Sequence, residues 1–231
     1  MDLPVFSLAN GAVDFYFPRN PTRDMFKNLT LLIVTTVLAL LVTLPAHGQA
    51  ARADASKPSF DDLQSPQIGG REKSFRPRDW LEMEAKIKID VRPEPPSGMA
   101  DRLTVKWYVA IKNPERRGEF LLLTREVNHV NVPIGEDVYT SVYLSPSSIR
   151  RITGNFRGGK GSVEFVGYEV VFNGEVIGHA TNKGQDQWWN VPSERISASD
   201  TVPLLTKPET PFAAMWWDRY AEVAIERGAG S

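Results

Sequence analysis

The sequence predicts an all-β fold, an antiparallel β-sandwich that is followed by a C-terminal α-helix. Two observations predict the sandwich. Apolar and polar residues alternate with a period of two in about seven short segments, and turn-forming residues separate these segments. No helical pattern lies between them, which argues against an α/β fold. The last part of the chain changes to a helical period, which predicts the helix.

The first strand has the clearest pattern. Between Leu81 and Val91 apolar residues alternate with glutamate, lysine and aspartate, so one face of the strand is dry and the other is wet. Asn173-Gly174 lies between two apolar pairs and predicts a type I′ hairpin. The other predicted elements are strands over 103–112, 119–127, 137–144, 162–172, 175–181 and 202–205, and a helical turn over 146–151.

The C-terminal helix is predicted over 210–227. Thr210 is a suitable cap and Pro211 suits the first helical position. The apolar arc of this helix is wider than the roughly 100° that one packed face needs. One part of the arc can pack on the sandwich, and the other part can contact a second chain. The residues predicted for that protein interface are Phe212, Trp216, Trp217 and Tyr220.

Residues 25–50 have the pattern of a secretory signal peptide. Lys27 precedes an apolar run over 29–44, and small residues precede the predicted cleavage site, which follows Ala50 or alternatively Gly48. The run is shorter than the about 20 residues of a membrane-spanning helix. The pattern predicts export to the periplasm, the outer cell surface or the medium. Residues 1–24 are interpreted as an extension upstream of the true start at Met25, or alternatively as a long n-region.

Composition limits the remaining possibilities. Residues 51–78 are rich in proline and glycine and poor in large apolar residues, which predicts a flexible linker and a folded domain over 79–231. The chain has no cysteine, which excludes disulfides, thiol catalysis and cysteine-based metal centres. The net charge of −1 predicts no binding to nucleic acid or anionic lipid, and hence no membrane association once the signal is removed.

No residue pattern predicts catalysis, a cofactor or a metal site. The glycine-rich segment 154–162 approaches a phosphate-binding loop, but Gly161 stands where that motif needs serine or threonine, and a strand follows instead of a helix. We therefore expect a protein that is not an enzyme. The alternative function is carbohydrate binding, in which Trp188 and Trp189 stack on sugar rings, although neighbours on a strand point to opposite faces.

Four segments resemble the small secreted pilus-like proteins of verrucomicrobial type IV pilus gene clusters. The segments are 75–82 (FRPRDWLE), 104–109 (TVKWYV), 163–170 (VEFVGYEV) and 214–220 (AMWWDRY). The resemblance implies an immunoglobulin-like sandwich, an envelope or extracellular location, and association with pilus machinery. It also implies self-assembly and no catalytic residues. The expected partners are pilus-system or other envelope proteins and a second copy of the chain. The apolar run lacks the glycine and glutamate of ordinary pilins, which predicts an accessory role.

Overall fold

Two β-sheets packed face to face make up the computed structural model, which describes residues 49–67 and 76–225. The strands are β1 (Ala50–Ala55), β2 (Ser59–Gln64), β3 (Asp79–Arg92), β4 (Met99–Lys112), β5 (Phe120–Pro133), β6 (Asp137–Leu144), β7 (Val163–Phe172), β8 (Glu175–Thr181), β9 (Ile196–Ala198), β10 (Leu205–Thr206) and β11 (Glu222–Val223). The α-helix α1 spans Pro146–Thr153, and 3-10 turns span Gly159–Ser162, Trp188–Asn190 and Lys207–Glu209.

Each sheet is built around one long strand. In the first sheet, β1 and β2 pair with successive halves of one edge of β3, while β6 pairs with its other edge and carries β10. In the second sheet, β4 lies between β5 and β7, and β8 pairs with β7. The outer edge of β5 pairs antiparallel with β11 and parallel with β9. The predicted β-sandwich is therefore confirmed.

The core lies between the two sheets and follows the alternation in the sequence. The apolar residues of β3 and β4, such as Leu81, Ile87 and Val105, are fully buried. Trp107 of β4 packs against Tyr168 of β7, with ring centroids 5.2 Å apart. Burial of one aliphatic side chain such as Leu81 or Ile87 contributes about 1.5–3 kcal/mol to the free energy of folding. Since so many large apolar groups are buried, the sandwich needs no disulfide to hold it.

The predicted local elements form close to their expected bounds. The strands over 137–144 and 175–181 coincide with β6 and β8. Asn173 and Gly174 both have positive φ, 51° and 84°, as a type I′ turn requires. The helical turn is α1, where the Ser145 hydroxyl accepts a hydrogen bond from the Ser148 amide at 3.2 Å. Of the strand predicted over 202–205, only Leu205 is in a strand, the two-residue β10.

The flexible linker predicted over 51–78 is wrong for its first half, because β1 and β2 lie there. Both strands pair along β3, and Ala53 is buried so close to β8 that a Cβ atom on Gly178 would lie 2.7 Å from the Ala53 carbonyl oxygen. The Asp62 carboxylate accepts a hydrogen bond from the Lys160 amide at 3.0 Å. β1 (AARADA) carries only alanine and charged residues, and β2 (SFDDLQ) has two large apolar residues, Phe60 and Leu63, so these edge strands show too little apolar alternation for sequence patterns to reveal them. The sheet thus begins before Asp79.

The interpretations of residues 1–24 and 25–48, and of the linker at 68–75, lie outside the described residues. In the part of the chain that the structure describes, no helix is long and apolar enough to cross a membrane.

The C-terminal α-helix predicted over 210–227 does not form in its described part, 210–225. Trp216 has a φ of 50°, which ends any right-handed helix there. The Lys207 ammonium donates hydrogen bonds to the carbonyls of Ala213, at 3.3 Å, and Met215, which a helix would use for its own amides. Glu222 and Val223 pair with β5 as β11. Contacts that are distant in sequence therefore override the helical pattern.

Candidate functional site

Residues 212–220 form a loop, here called the tryptophan loop, between the last 3-10 turn and β11. Part of the loop covers the face of the first sheet that points away from the core. Trp80 and Glu82 of β3 and Tyr143 of β6 lie on that face, because the residues that alternate with them point into the sandwich. The loop thus creates a small second packing layer on the outside of the sandwich.

Phe212 anchors the beginning of the loop. Its ring is fully buried, and it stacks on Tyr143 with centroids 5.6 Å apart and meets the edge of Trp80 at 5.7 Å. Such aromatic pairs add about 0.5–1.5 kcal/mol to the gain from burial. The Thr210 hydroxyl accepts a hydrogen bond from the Phe212 amide at 3.2 Å. Phe212 was predicted as an interface residue, and the structure places it in the interior of this layer.

Tyr220 anchors the end of the loop. Its hydroxyl donates to the Glu82 carboxylate at 3.1 Å and contacts the Glu84 carboxylate. Glu82 also accepts a 2.6 Å hydrogen bond from the Tyr143 hydroxyl, and Arg219 pairs with Glu84 at 2.8 Å. Burial raises the pKa of Glu82, and the neighbouring Glu84 charge acts in the same direction, although the hydroxyl donors oppose it. Burial likewise raises the pKa of Tyr220 far above its usual value.

Lys207, which precedes the loop in the chain, binds the carbonyl groups of Ala213 and Met215 in its middle. Besides donating to two loop carbonyls, its ammonium lies 4.7 Å from the centre of the Tyr220 ring. Burial lowers the pKa of Lys207. A buried lysine is costly unless its donors are satisfied, and these contacts satisfy it. The loop therefore has three fixed points, which are Phe212, Lys207 and Tyr220.

The segment after Tyr220 closes the edge of the sandwich. Ala221 donates its amide to the Tyr139 carbonyl in β6, and Ala224 donates to the Asn128 carbonyl in β5. His129 lies beneath this segment and is fully buried. Its Nδ1 lies 3.2 Å from the carbonyl oxygens of both Ala221 and Glu222, and its Nε2 lies 2.9 Å from the Thr140 hydroxyl. Burial lowers the pKa of His129 to about 4, so the ring is neutral at physiological pH.

Between its fixed points the loop presents two tryptophans to solvent. Trp217 is 75% exposed and Trp216 is 44% exposed. An open cavity of about 290 Å³ adjoins Trp217, and its lining also includes Tyr220, Ala213 and Pro208. Trp216 and Trp217 were predicted for a protein interface because of their place in an apolar arc. The structure brings them to the surface by a strained turn and not by a helix.

Trp188 and Trp189, the residues of the carbohydrate alternative, lie on the outer face of the second sheet. Trp188 is buried, and Trp189 stacks on Tyr108 with centroids 4.9 Å apart. The Trp189 Nε1 donates to the buried Glu169 carboxylate at 2.8 Å. A Cβ atom on Gly167 would lie 2.1 Å from the Trp189 ring, so that ring also packs tightly against the β7 backbone. These contacts fasten the loop after β8 to the sheet.

Several residues of the loop's environment were not found by sequence reasoning. Lys207, Glu82 and Tyr143 are far apart in the chain, and neither their spacing nor their type signals that they meet. The described residues contain no group of three or more histidines and carboxylates that could hold a metal ion.

Comparison with known proteins places the chain in a family. A protein-family model matches residues 44–227. The crystal structure of a protein from Akkermansia muciniphila is 38% identical, covers 77% of this chain and 95% of that chain, and superposes with a TM-score of 0.71. This chain belongs to the same family. The family member from Akkermansia comes from a verrucomicrobium, the bacterial group of the proteins that the sequence resembles. A search of curated proteins finds no match.

Proposed function

We propose that this protein is an exported structural or interaction protein, not an enzyme, that is associated with a type IV pilus-like system. It binds pilus-system or other envelope proteins, and a second copy of itself, through the tryptophan loop. The pilus association is supported by the resemblance of four sequence segments and by the shared family with a verrucomicrobial protein. Export is supported by the signal-peptide pattern of residues 25–50.

The exposure of Trp217 beside Trp216 is the observation that carries the interaction function. Tryptophan is one of the residues that contribute most to protein–protein binding, and interface cores are enriched in aromatic side chains. A bulky residue with a φ of 50°, as Trp216 has, costs about 1–3 kcal/mol and persists only where the surroundings fix it. The fixed points of the loop supply that support. Because the two rings are held in place before binding, little further ordering is needed when a partner docks.

Self-association is tested with the product of the full coding sequence, purified after export from an expression host. Mass spectrometry of its N-terminus tests the signal peptide separately. Light scattering should show a dimer or larger species whose fraction rises with protein concentration. The double variant Trp216→Ala/Trp217→Ala should shift it to monomer while the thermal unfolding midpoint stays within a few degrees. Val176→Ala/Val191→Ala is the matched control, because these residues are also exposed and apolar but lie elsewhere.

The outcomes separate the parts of the proposal. A strict monomer at micromolar and higher concentration contradicts self-association. Loss of the fold in the double variant would show that the tryptophans are structural. The pilus association is tested by deleting the gene in the source organism and counting pili by electron microscopy. Complementation with the Trp216→Ala/Trp217→Ala gene should fail if the loop binds the pilus partner, and unchanged piliation in the deletion strain would contradict the association.

Carbohydrate binding through Trp188 and Trp189 is the alternative function. Stacking on a sugar needs an open ring face, whereas Trp188 is buried and one face of the half-buried Trp189 is occupied by Tyr108. The packing therefore favours the protein interface. Binding on a glycan array that Trp189→Ala abolishes, with the fold intact, would reverse this preference.

A further inference from the structure

Positive charge is concentrated at one end of the sandwich, although the net charge of the chain is only −1. Four segments meet at this end, here called the arginine end, and they are 76–78, 113–119, 145–162 and 182–195. Together they contain ten basic and four acidic residues. Eight of the ten basic residues are arginines. The balanced composition thus conceals a separation of charge that only the fold reveals.

Direct contacts join these segments into one surface. The Lys112 ammonium at the end of β4 donates to the Gly161 carbonyl at 2.9 Å, which connects the β4–β5 hairpin with the segment after α1. The Arg195 guanidinium donates to the Gly118 carbonyl at 2.7 Å, which connects the hairpin with the segment before β9. The Arg78 guanidinium lies 4.0 Å from the centre of the Phe156 ring and connects the start of β3. The four segments therefore adjoin one another at this end of the sandwich.

Most of these arginines have no acidic partner. Seven are exposed and form no ion pair with a carboxylate among residues 49–67 and 76–225; they are Arg76, Arg78, Arg117, Arg150, Arg151, Arg157 and Arg195. The nearby acidic residues Asp61 and Asp62 contact Lys160 instead. At the opposite end of the strands, by contrast, Arg52 lies directly across from Asp90 in the pairing of β1 with β3. Three basic residues of this end do form ion pairs, Arg116 with Glu119, Lys160 with Asp61 and Lys183 with Glu164, but the seven arginines leave an excess of positive charge.

Arg78 and Arg150 are arranged to receive an anion. Both guanidinium groups lie against the Phe156 ring, at 4.0 Å and 5.0 Å from its centre. Stacking on an aromatic ring fixes the guanidinium plane and leaves its N–H edge free to donate. Guanidinium groups bind phosphate through two parallel hydrogen bonds, which an ammonium group cannot do. An arginine surface that is held in this way suits phosphate groups.

We propose that the arginine end binds the phosphate headgroups of an anionic lipid surface. The charges spread over four segments and do not converge on one cavity, which suits a flat, multivalent array and not a single small anion. Val191 is the one large apolar residue with high exposure among the described residues of these segments. Binding is therefore electrostatic and peripheral, and it weakens as salt shortens the reach of the charges. This revises the expectation that was drawn from net charge alone.

The test uses the exported full-chain product in co-sedimentation with vesicles. Vesicles of phosphatidylcholine with one third phosphatidylglycerol should bind the protein at low salt and release it at about 0.5 M NaCl, where the screening length is only a few ångströms. Vesicles of phosphatidylcholine alone should not bind it. The triple variant Arg78→Gln/Arg150→Gln/Arg157→Gln should bind about 100-fold more weakly, since each basic residue near an anionic membrane contributes about fivefold.

The matched control is Arg52→Gln/Arg92→Gln/Arg102→Gln, which removes the same charge from the opposite end and should leave binding within twofold. Equal losses in both variants would show a general charge effect and overturn the proposal, as would no binding of the parent to the anionic vesicles. Tighter binding to soluble polyphosphate, to a DNA duplex or to polyglutamate than to vesicles would overturn the lipid source. If the first variant is unfolded by circular dichroism, Arg117→Gln/Arg151→Gln, which leaves Phe156 untouched, should still lower binding about 25-fold.

Discussion

Tyr220 donates a hydrogen bond to the Glu82 carboxylate across 3.1 Å, and this contact closes the tryptophan loop onto β3. The two residues are 138 positions apart in the chain. The same hydroxyl also contacts the Glu84 carboxylate. The phenol therefore lies between two carboxylates that would otherwise repel each other. The presentation of Trp216 and Trp217 therefore depends on a polar contact at the base of the loop.

Tyr220→Phe should loosen the loop without unfolding the sandwich. The substitution keeps the ring and removes the one hydroxyl that contacts both carboxylates, and a hydrogen bond to a charged group contributes about 1.5–3 kcal/mol. We expect the free energy of unfolding in urea to fall by that amount and the tryptophan fluorescence to shift. Tyr139→Phe is the control, because the Tyr139 hydroxyl forms no hydrogen bond with the described residues and its ring contacts are retained. Equal losses in the two variants would contradict this role of Tyr220.

Glu82 should make the protein less stable as the pH rises through its raised pKa. In the folded protein burial raises this pKa above the value in the unfolded chain, so the folded state holds its proton to a higher pH. The contribution of Glu82 is therefore most favourable below the unfolded pKa and is lost as the pH rises. Glu82→Gln removes this titration and keeps an oxygen that accepts from Tyr220. The stability difference between parent and variant, measured by urea unfolding from pH 4 to 8, should change in that direction. A difference that does not vary with pH would contradict the prediction.

His129 should act in the opposite direction. Its folded pKa of about 4 lies below the 6.5 of the unfolded chain, so the unfolded state binds the proton first as the pH falls. Stability is lost between pH 6.5 and 4, by about 2 kcal/mol from pH 7 to pH 5. His129→Gln keeps polar groups near Thr140 and the Ala221 carbonyl but cannot titrate. It should remove this pH dependence, although it lowers stability at pH 7. His179→Gln is the control, since His179 lies on the surface side of β8.

The strands found from sequence are those that place one dry face on the core. In β3 the alternation from Leu81 to Val91 reports this geometry directly, because every second side chain is buried. β1 gives no such signal, because its apolar residues are all alanines. Ala53 has to be small because β1 approaches β8 closely at Gly178. A strand with small side chains has the composition of a linker. Only its packing against the neighbouring strands shows that it belongs to the sheet.

The tryptophan loop illustrates a second limit of sequence reasoning. Trp216 and Trp217, predicted as interface residues from the apolar arc, are exposed, and their role in binding stays a prediction. The helix itself was wrong, because Lys207 binds carbonyl groups that the helix would need. Lysine is rarely buried in proteins, so propensity scales do not predict that Lys207 lies in the interior and binds these carbonyl groups. The arginine end could not be predicted from the sequence either, because the net charge does not show which loops lie next to one another in the fold.

Gly178→Ala tests whether β1 is an integral part of the sandwich. The added Cβ would lie 2.7 Å from the Ala53 carbonyl and 2.8 Å from its Cβ, and backbone atoms cannot yield as a flexible side chain can. We expect a loss of about 1–3 kcal/mol in the free energy of unfolding, as for other overpacked sites. Gly161→Ala is the matched control, because nothing lies within 4 Å of its Cβ position, and it should stay within 0.5 kcal/mol of the parent. Hydrogen exchange should also show faster exchange of the β1 amides in Gly178→Ala alone. If β1 were a mobile linker in solution, the two glycine variants would be equally stable and the β1 amides would exchange rapidly even in the parent.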